Sequence, residues 1–232
     1  MSRALVSVVI PVFNGERFLA EAIESVLAQT YEPVETVVVD DGSTDGSPEI
    51  ARSYPVTYMH QENRGVAAAR NRGLAAAEGE FISLLDQDDV WLPRKLELQV
   101  HALERNPAAG ICSCRFDTFL EPGCEVPDWV QNRAYVEADR SYRNSQLGTL
   151  LVRRAVFSEV GDFDVTYGSS NDTDWFLRTR DAGVEVVKLE EPLQRKRFHD
   201  QNDSARRDPK QRMRAFHAST RRKRAAAETA DG

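Results

Sequence analysis

The chain has 232 residues, room for one large domain or one domain with a small appendage at roughly 100–200 residues per domain. With 41% apolar and 29% charged residues, 13 Gly and 10 Pro, its composition is that of an ordinary soluble protein and excludes a collagen-like, low-complexity or wholly disordered chain. The net charge of −7 is uneven: residues 205–232 hold nine Lys or Arg against three acids, +6, so residues 1–204 carry −13.

No run approaches the roughly 18–20 apolar residues of a membrane span, and Met1-Ser2-Arg3-Ala4-Leu5 leads straight into a strand pattern without a signal-peptide core. A cytoplasmic chain is expected, at most peripheral at the inner face of the membrane. Val6 to Ile10 is an apolar strand closed by Pro11. Glu16 to Gln29 places Phe18, Leu19, Ile23, Val26 and Leu27 at helical spacing, with Glu16, Glu21 and Glu24 left in water. Thr36 to Val39 is the next strand. It runs into Asp40-Asp41-Gly42-Ser43-Thr44-Asp45-Gly46, after which Ser47-Pro48 supplies a cap and an N1 proline for a short helix. Val56 to His60 reads as a strand, Arg64 to Glu78 as a helix stopped by Gly79, and Phe81 to Leu85 as a buried strand. Asp86-Gln87-Asp88-Asp89 follows, then a helix from about Pro93. This alternation of strand and helix predicts a parallel sheet covered by crossover helices.

After Ile111 the pattern weakens, and Pro122 to Tyr142 reads as a loop-rich excursion forming one wall of a binding site. Gly148 to Val152 is a strand, Arg154 to Val160 and Asp172 to Ala182 are helices, Gly183 ends the second, and Val184 to Leu189 is the last strand. The expected architecture is therefore α/β: a Rossmann-like, mostly parallel sheet flanked by helices, one domain over residues 1–204. Residues 205–232 form a basic tail, helical or partly disordered. Such a tail on an acidic body suits anionic lipid, nucleic acid or the body itself, and a solvated terminal helix is the simplest reading. The cysteines, Cys112, Cys114 and Cys124, have neither the number nor the spacing of a disulfide framework or zinc site.

Ligands of open α/β sheets collect at the carboxyl ends of the strands. Three polar clusters fall there: Phe13-Asn14, Asp40 to Asp45, and Asp86 to Asp89. Neither a G-x-G-x-x-G nor a P-loop sequence is present. In an extended segment residues i and i+2 point the same way, so Asp86 and Asp88 can share a cation and leave sites open for phosphate oxygens. Hard carboxylates suit Mg2+ or Mn2+. A lone D-x-D more often only ends a strand and caps a helix; its place after an apolar strand at the carboxyl edge favours the metal.

Together, Val6-Ser7-Val8-Val9-Ile10-Pro11-Val12-Phe13-Asn14, Val39-Asp40-Asp41-Gly42-Ser43-Thr44-Asp45, Asn63-Arg64-Gly65-Val66-Ala67-Ala68-Ala69-Arg70-Asn71 and Leu84-Leu85-Asp86-Gln87-Asp88-Asp89 resemble, in order and spacing, the family 2 glycosyltransferases of GT-A fold, over residues 5–204. The resemblance implies that Pro11, Phe13 and Asp41 line the pocket of the nucleotide base, usually uracil, that Arg70 faces the base or phosphates, that Asp86 contacts the ribose side and that Asp88 binds the divalent metal. It makes Asp172 the base of an inverting transfer, with Asn171, where a glutamate is usual, as an acceptor contact; Trp175 reads as a floor of the acceptor site, since an aromatic face suits a sugar, or equally as a core tryptophan. Taken alone, Asp172 and Asp174 read as first-turn helix acids. His199, in Arg197-Phe198-His199, is implied as a metal ligand and reads equally as a surface histidine. Arg195, Lys196 and Arg197 suit a diphosphate or a solvated basic run.

The implied activity is metal-assisted, inverting transfer of a sugar from a nucleotide donor, a UDP-sugar first, to an acceptor hydroxyl on a saccharide, a lipid-linked molecule or a protein. Nucleic acid is not an expected partner. The alternative is a catalytically silent sugar-nucleotide-binding module. A nucleotidyltransferase-like enzyme is disfavoured by the lack of a glycine- and basic-rich activation loop.

Overall fold

All seven residues of Val6–Val12 (β1) are buried, as a central strand covered on both faces must be. In the computed structural model, which describes residues 3–124, 146–202 and 209–230, β1 pairs in parallel with Val34–Asp40 (β2) on one side and Phe81–Leu84 (β4) on the other. Thr57–His60 (β3) extends the sheet in parallel beyond β2. Leu150–Arg153 (β7) runs antiparallel to β4, and Ile111–Leu120 (β6) antiparallel to β7. Val186–Phe198 (β8) is parallel to β6, and the two-residue Val90–Trp91 (β5) closes the row antiparallel to β8. The order is β3-β2-β1-β4-β7-β6-β8-β5.

Strand alternation sorts the core into two layers. Val8, Ile10 and Val12 face Leu19–Leu27 (α1), Ser47–Arg52 (α2) and Lys95–Arg105 (α4), through Leu19, Ile23, Val26, Ala51, Leu96, Val100 and Leu103. Val9 faces Val66–Ala76 (α3), and the same layer continues through Val156 and Phe157 of Arg154–Val160 (α5) and Trp175 and Phe176 of Asn171–Asp181 (α6). Each fully buried aliphatic or aromatic side chain contributes about 1.5–3 kcal/mol.

Several sequence expectations are corrected. α1 starts at Leu19 rather than Glu16, and Leu27, expected on the packed face, is 46% exposed. Ser47 is the first helical residue of α2; the Asp45 carboxylate accepts its N–H at 3.0 Å. Gly79 does not end α3 in a left-handed turn: a Cβ there would lie 2.6 Å from Ser7 Oγ, so glycine serves close approach to β1. Gly183, at φ 75°, does close α6 as expected. β5 and β6 were not foreseen, and β8 is 13 residues long. Of the loop-rich segment, residues 125–142 lie outside the described residues.

The basic end forms Pro209–Ala230 (α7) and packs on the body. Ala215 is fully buried beside Tyr167 and Leu177, with Phe216 against them. Arg180 donates to Ser219 Oγ at 2.9 Å, and Arg222 Nε is 3.2 Å from Asp181 Oδ2. No helix among the described residues is long and apolar enough to cross a membrane.

Candidate active site

The carboxyl ends of β1, β2 and β4 lie side by side, so the loops that leave them meet. Asp41, 3% exposed, follows β2 and accepts from Gln61 Nε2 at 2.7 Å and from the backbone N–H groups of Arg64 and Gly65 at 2.8 Å each. A carboxylate has about four acceptor positions. Three of them are used in these hydrogen bonds. Asp40 points elsewhere: Ser43 N–H, Tyr58 hydroxyl and His60 Nδ1 engage it at 2.8, 2.7 and 3.0 Å. Burial works to raise its pKa, but those hydrogen bonds outweigh it and hold the carboxyl below its ordinary range.

Phe13 follows β1 and is 46% exposed, while Pro11 is buried inside the strand opposite Val39. Asn14 has φ 49°, a left-handed conformation that asparagine tolerates, and its side-chain oxygen accepts the N–H of Thr44 at 2.8 Å.

The acidic turn after β4 is held from both sides. Arg70, buried on α3, reaches Asp86 Oδ1 with Nη2 at 2.9 Å and Asn171 Oδ1 with Nη1 at 2.8 Å. Asp88 Oδ2 meets His199 Nε2 at 2.9 Å and Asn202 Nδ2 at 3.0 Å. The Gln201 N–H donates to His199 Nδ1 at 3.2 Å, so Nε2 carries the proton that points at Asp88. Burial works against ionisation of Asp88, yet the His199 hydrogen bond and the Lys196 charge keep its pKa below the usual value. Asp89 is 1% exposed and turns inward to Gln194 Nε2 at 2.7 Å and the Arg197 N–H at 3.0 Å. Burial pushes its pKa up to about 7 against the pull of Lys196.

Asn171 and Asp172 open α6. Asn171 is buried, its oxygen on Arg70 and its amide donating to the Gly168 carbonyl. The chain Asp86–Arg70–Asn171 thus ties the acidic turn to the first turn of α6, where Asp172 stands partly exposed. Its carboxylate accepts the Thr173 N–H at 2.6 Å. Asp174, by contrast, is a buried structural acid on Arg178 Nε at 2.7 Å.

Two expected acceptor contacts are corrected. Trp175 has no exposed surface: it stacks on Phe157 at 5.1 Å between ring centroids, lies against Phe163 at 5.7 Å, and donates to the Gly161 carbonyl. It belongs to the core. Asn171 holds Arg70 rather than facing the cleft. Nor do the three basic residues of β8 act alike. Arg195 is exposed over Phe119, Lys196 is buried 3.7 Å from Asp89, and Arg197 lies inside, paired with Glu21 and Glu121 and donating to the Asp88 carbonyl at 3.0 Å. Sequence reading placed Gln87 and Asp89 in the acidic cluster but gave neither of them a role or a partner, and it gave Asn202 no role. Their partners lie 105–114 residues away for Asp89 and Asn202 and 74 for Gln87, beyond any local pattern.

Among the described residues no three His, Cys, Asp or Glu side chains are grouped as a ready metal cage. The pair Asp88 and His199 still fits a divalent cation. Mg2+-type sites commonly take one or two protein ligands and complete their shell with phosphate oxygens and water, and adjacent ligands at ~2.1 Å stand about 3 Å apart. The 2.9 Å between Asp88 Oδ2 and His199 Nε2 meets that spacing; ligation through Nε2 would move the ring proton to Nδ1 and release the Gln201 N–H from it.

An α/β sheet with an acidic turn, an amide-cradled carboxylate and a buried arginine at one carboxyl edge is a transferase scaffold of the GT-A type. The model of Glycosyl transferase family 2 matches residues 7–162, and the chain belongs to that family. An uncharacterized glycosyltransferase of Rickettsia typhi is 34% identical over 214 residues, 84% of this chain and 64% of the relative. EpsE of Bacillus subtilis, which carries a glycosyltransferase name, is 31% identical over 200 residues, 81% of this chain and 71% of its own. The chain spans 64% and 60% of the length of two rickettsial relatives. Among solved structures, S. aureus TarS 1–349 in complex with UDP-GlcNAc aligns with a TM-score of 0.75 at 18% identity, over 94% of this chain and 66% of that one. The mannosyltransferase PcManGT of Pyrobaculum calidifontis, in complex with GDP-Man and Mn2+, gives 0.67 at 24% identity over 88% and 60%. At these identities the likeness is one of fold.

Proposed function

We propose that this chain transfers a sugar from a nucleoside-diphosphate donor, a UDP-sugar first, to an acceptor hydroxyl with inversion. The observation that carries the reading is the Asp86–Asp88 turn, fixed between Arg70 and the His199–Asn202 pair at the sheet's carboxyl edge. Pro11, Phe13 and Asp41 take the base; Asp86 and Arg70 take the ribose and phosphate side. Asp88, with His199, would hold Mg2+ or Mn2+, which when bound supplies positive charge to the leaving diphosphate. Asp172 takes the acceptor's proton from the opposite side of the sugar. Structures of this fold bound to UDP-GlcNAc and to GDP-Man with Mn2+ support this choice of donor class.

The test begins with UDP release from UDP-sugars in the presence of Mn2+, with and without candidate acceptors, and with pyrophosphate assayed in parallel. UDP as product supports the transfer; no donor binding and no turnover with any UDP- or GDP-sugar ends it.

Lys210, Met213, Arg214, His217 and Arg221 of α7 are exposed, Arg214 lying over the edge of the body at Tyr167, while Ala215 and Ser219 face the body. A basic surface with one apolar residue suits peripheral contact with anionic lipid. Flotation with phosphatidylserine vesicles at low salt, lost at high salt, is the expected result, and failure to float at either salt removes this part.

A further inference from the structure

Between the two acids of the metal turn stands Gln87, whose side chain points back to β1. Its Oε1 accepts the Phe13 N–H at 2.8 Å and its Nε2 donates to the Phe13 carbonyl at 3.2 Å. A primary amide can make this two-way pair with one residue's backbone. A carboxylate would set an oxygen against the Phe13 carbonyl, and a hydroxyl is too short to span both atoms. The neighbouring glycine fits the same purpose. A Cβ on Gly15 would lie 2.6 Å from Gln87 Oε1 and 2.7 Å from its Cδ, and no other group approaches it as closely.

Gly15 does not need glycine for its own backbone, since its φ is not in the left-handed region. Its N–H on Ser47 Oγ at 2.8 Å and its carbonyl, which accepts Phe18 and Leu19 N–H at 3.0 Å each, would survive a methyl group. The space beside Gly15 is therefore reserved for the Gln87 amide. On the other side, the Asn14 N–H donates to Ser43 Oγ at 2.9 Å. The Phe13 loop is thus tethered both to the loop after β2 and to the acidic turn after β4.

We propose that Gln87 is a positioning residue which, through the backbone of Phe13, locks the base-binding loop to the acidic turn, so that base recognition and diphosphate binding share one rigid frame. This rests on the donor reading above. It makes residue 87 specific although it lies between the two acids, and it gives the missing Cβ of Gly15 a function. Two substitutions break the same clip from opposite ends: Gln87→Ala removes the amide, and Gly15→Ala pushes it away.

The experiment measures UDP affinity by calorimetry in Mn2+, melting temperature, and hydrogen exchange of the Phe13 amide, on the wild-type chain, both single variants and the double variant. Expected are a weakening of UDP binding by about tenfold in each single variant, faster Phe13 exchange in both, and melting within about 2 °C of wild type. The double variant should bind no more weakly than either single one, because the second change has nothing left to displace. Wild-type UDP affinity in Gln87→Ala or Gly15→Ala, or two independent losses that multiply in the double variant, overturns the proposal alone. A wild-type chain that binds no nucleoside diphosphate overturns the donor reading instead, and the exchange data still decide the clip: unchanged Phe13 exchange in both variants refutes it.

Discussion

Asp88 and Asp172 stand on different elements and should fail differently. Asp88 is held by His199 and Asn202 next to the expected diphosphate. Asp88→Asn keeps the hydrogen-bonding shape but removes the charge, so the Mn2+-dependent rise in melting temperature with UDP should disappear, where wild type gains about 2.7 kcal/mol at a hundredfold excess over Kd. Asp172 accepts the Thr173 N–H at 2.6 Å within the first turn of its own helix. Asp172→Asn should keep the UDP-induced shift and lose about 10²–10⁴ in kcat, the range of general base catalysis; full turnover in that variant would remove it as the base. A third residue tests burial itself. Lys95 is fully buried, with Nζ 2.8 Å from Gln99 Oε1 and 3.8 Å from the Trp91 ring centroid, and burial lowers its pKa to about 8. Below that value both folded and unfolded chains hold the proton and the full cost, about 3 kcal/mol, is present. Between about 8 and the ordinary 10.5 the unfolded chain binds the proton more strongly, so wild-type stability gains as pH rises through this window. The stability advantage of Lys95→Met over wild type, from urea unfolding, should therefore shrink by about 2–3 kcal/mol from pH 7 to pH 10.5; a constant difference would refute the assignment.

At the level of elements, α3 matters because it carries Arg70 to the acidic turn, and it can do so only by lying close on β1. A Cβ at Gly73 would stand 2.2 Å from Val9 Cγ1. On an open helix Gly→Ala gains up to about 1 kcal/mol. Here Gly73→Ala should cost about 1–3 kcal/mol as overpacking, read from the urea midpoint, and Val9→Ala in the same chain should recover most of that loss. The first half of the sheet was legible because β1, β2 and β4 are largely apolar runs, and their burial on both faces writes itself into consecutive residues; Pro11, read as the end of β1, lies inside it. The second half was not. β8 contains Pro192 and a cluster of charges, which local propensity reads as loop, yet Lys196 and Arg197 are satisfied inside by Asp89, Glu21 and Glu121 from distant segments. The same limit explains Trp175: helical spacing puts an aromatic ring on one side of α6 but does not say whether that side meets the core or the cleft. The candidate site was legible as a set of strand-end carboxylates. How Gln87, Asn202 and Arg197 hold it was not.

Across the whole molecule, the basic end is part of the packed structure before it is a partner surface. α7 sets Ala215 and Ser219 against α6, and Arg222 reaches Asp181 at 3.2 Å and Asp174 at 4.0 Å, so one of its cations is spent on the body's acids. These contacts brace α6, whose first turn holds Asn171 and Asp172, from the side away from the sheet. Ala215→Glu would place a carboxylate at a fully buried position between Tyr167 and Leu177. An unsatisfied buried charge cannot remain there, so α7 should be displaced at a cost of several kcal/mol. The proposed donor side is built from the loops after β1, β2 and β4 together with Arg70, His199 and Asn202, and α7 packs instead on Tyr167, Leu177, Arg180 and Asp181. The variant should therefore melt several degrees lower, expose Arg222 and the Tyr167 face to limited proteolysis at α7, and still show a UDP-induced rise in melting temperature. Turnover should fall more than donor binding, because Asp172 stands on the element that loses its brace; equal loss of both would mean that α7 supports the entire sheet.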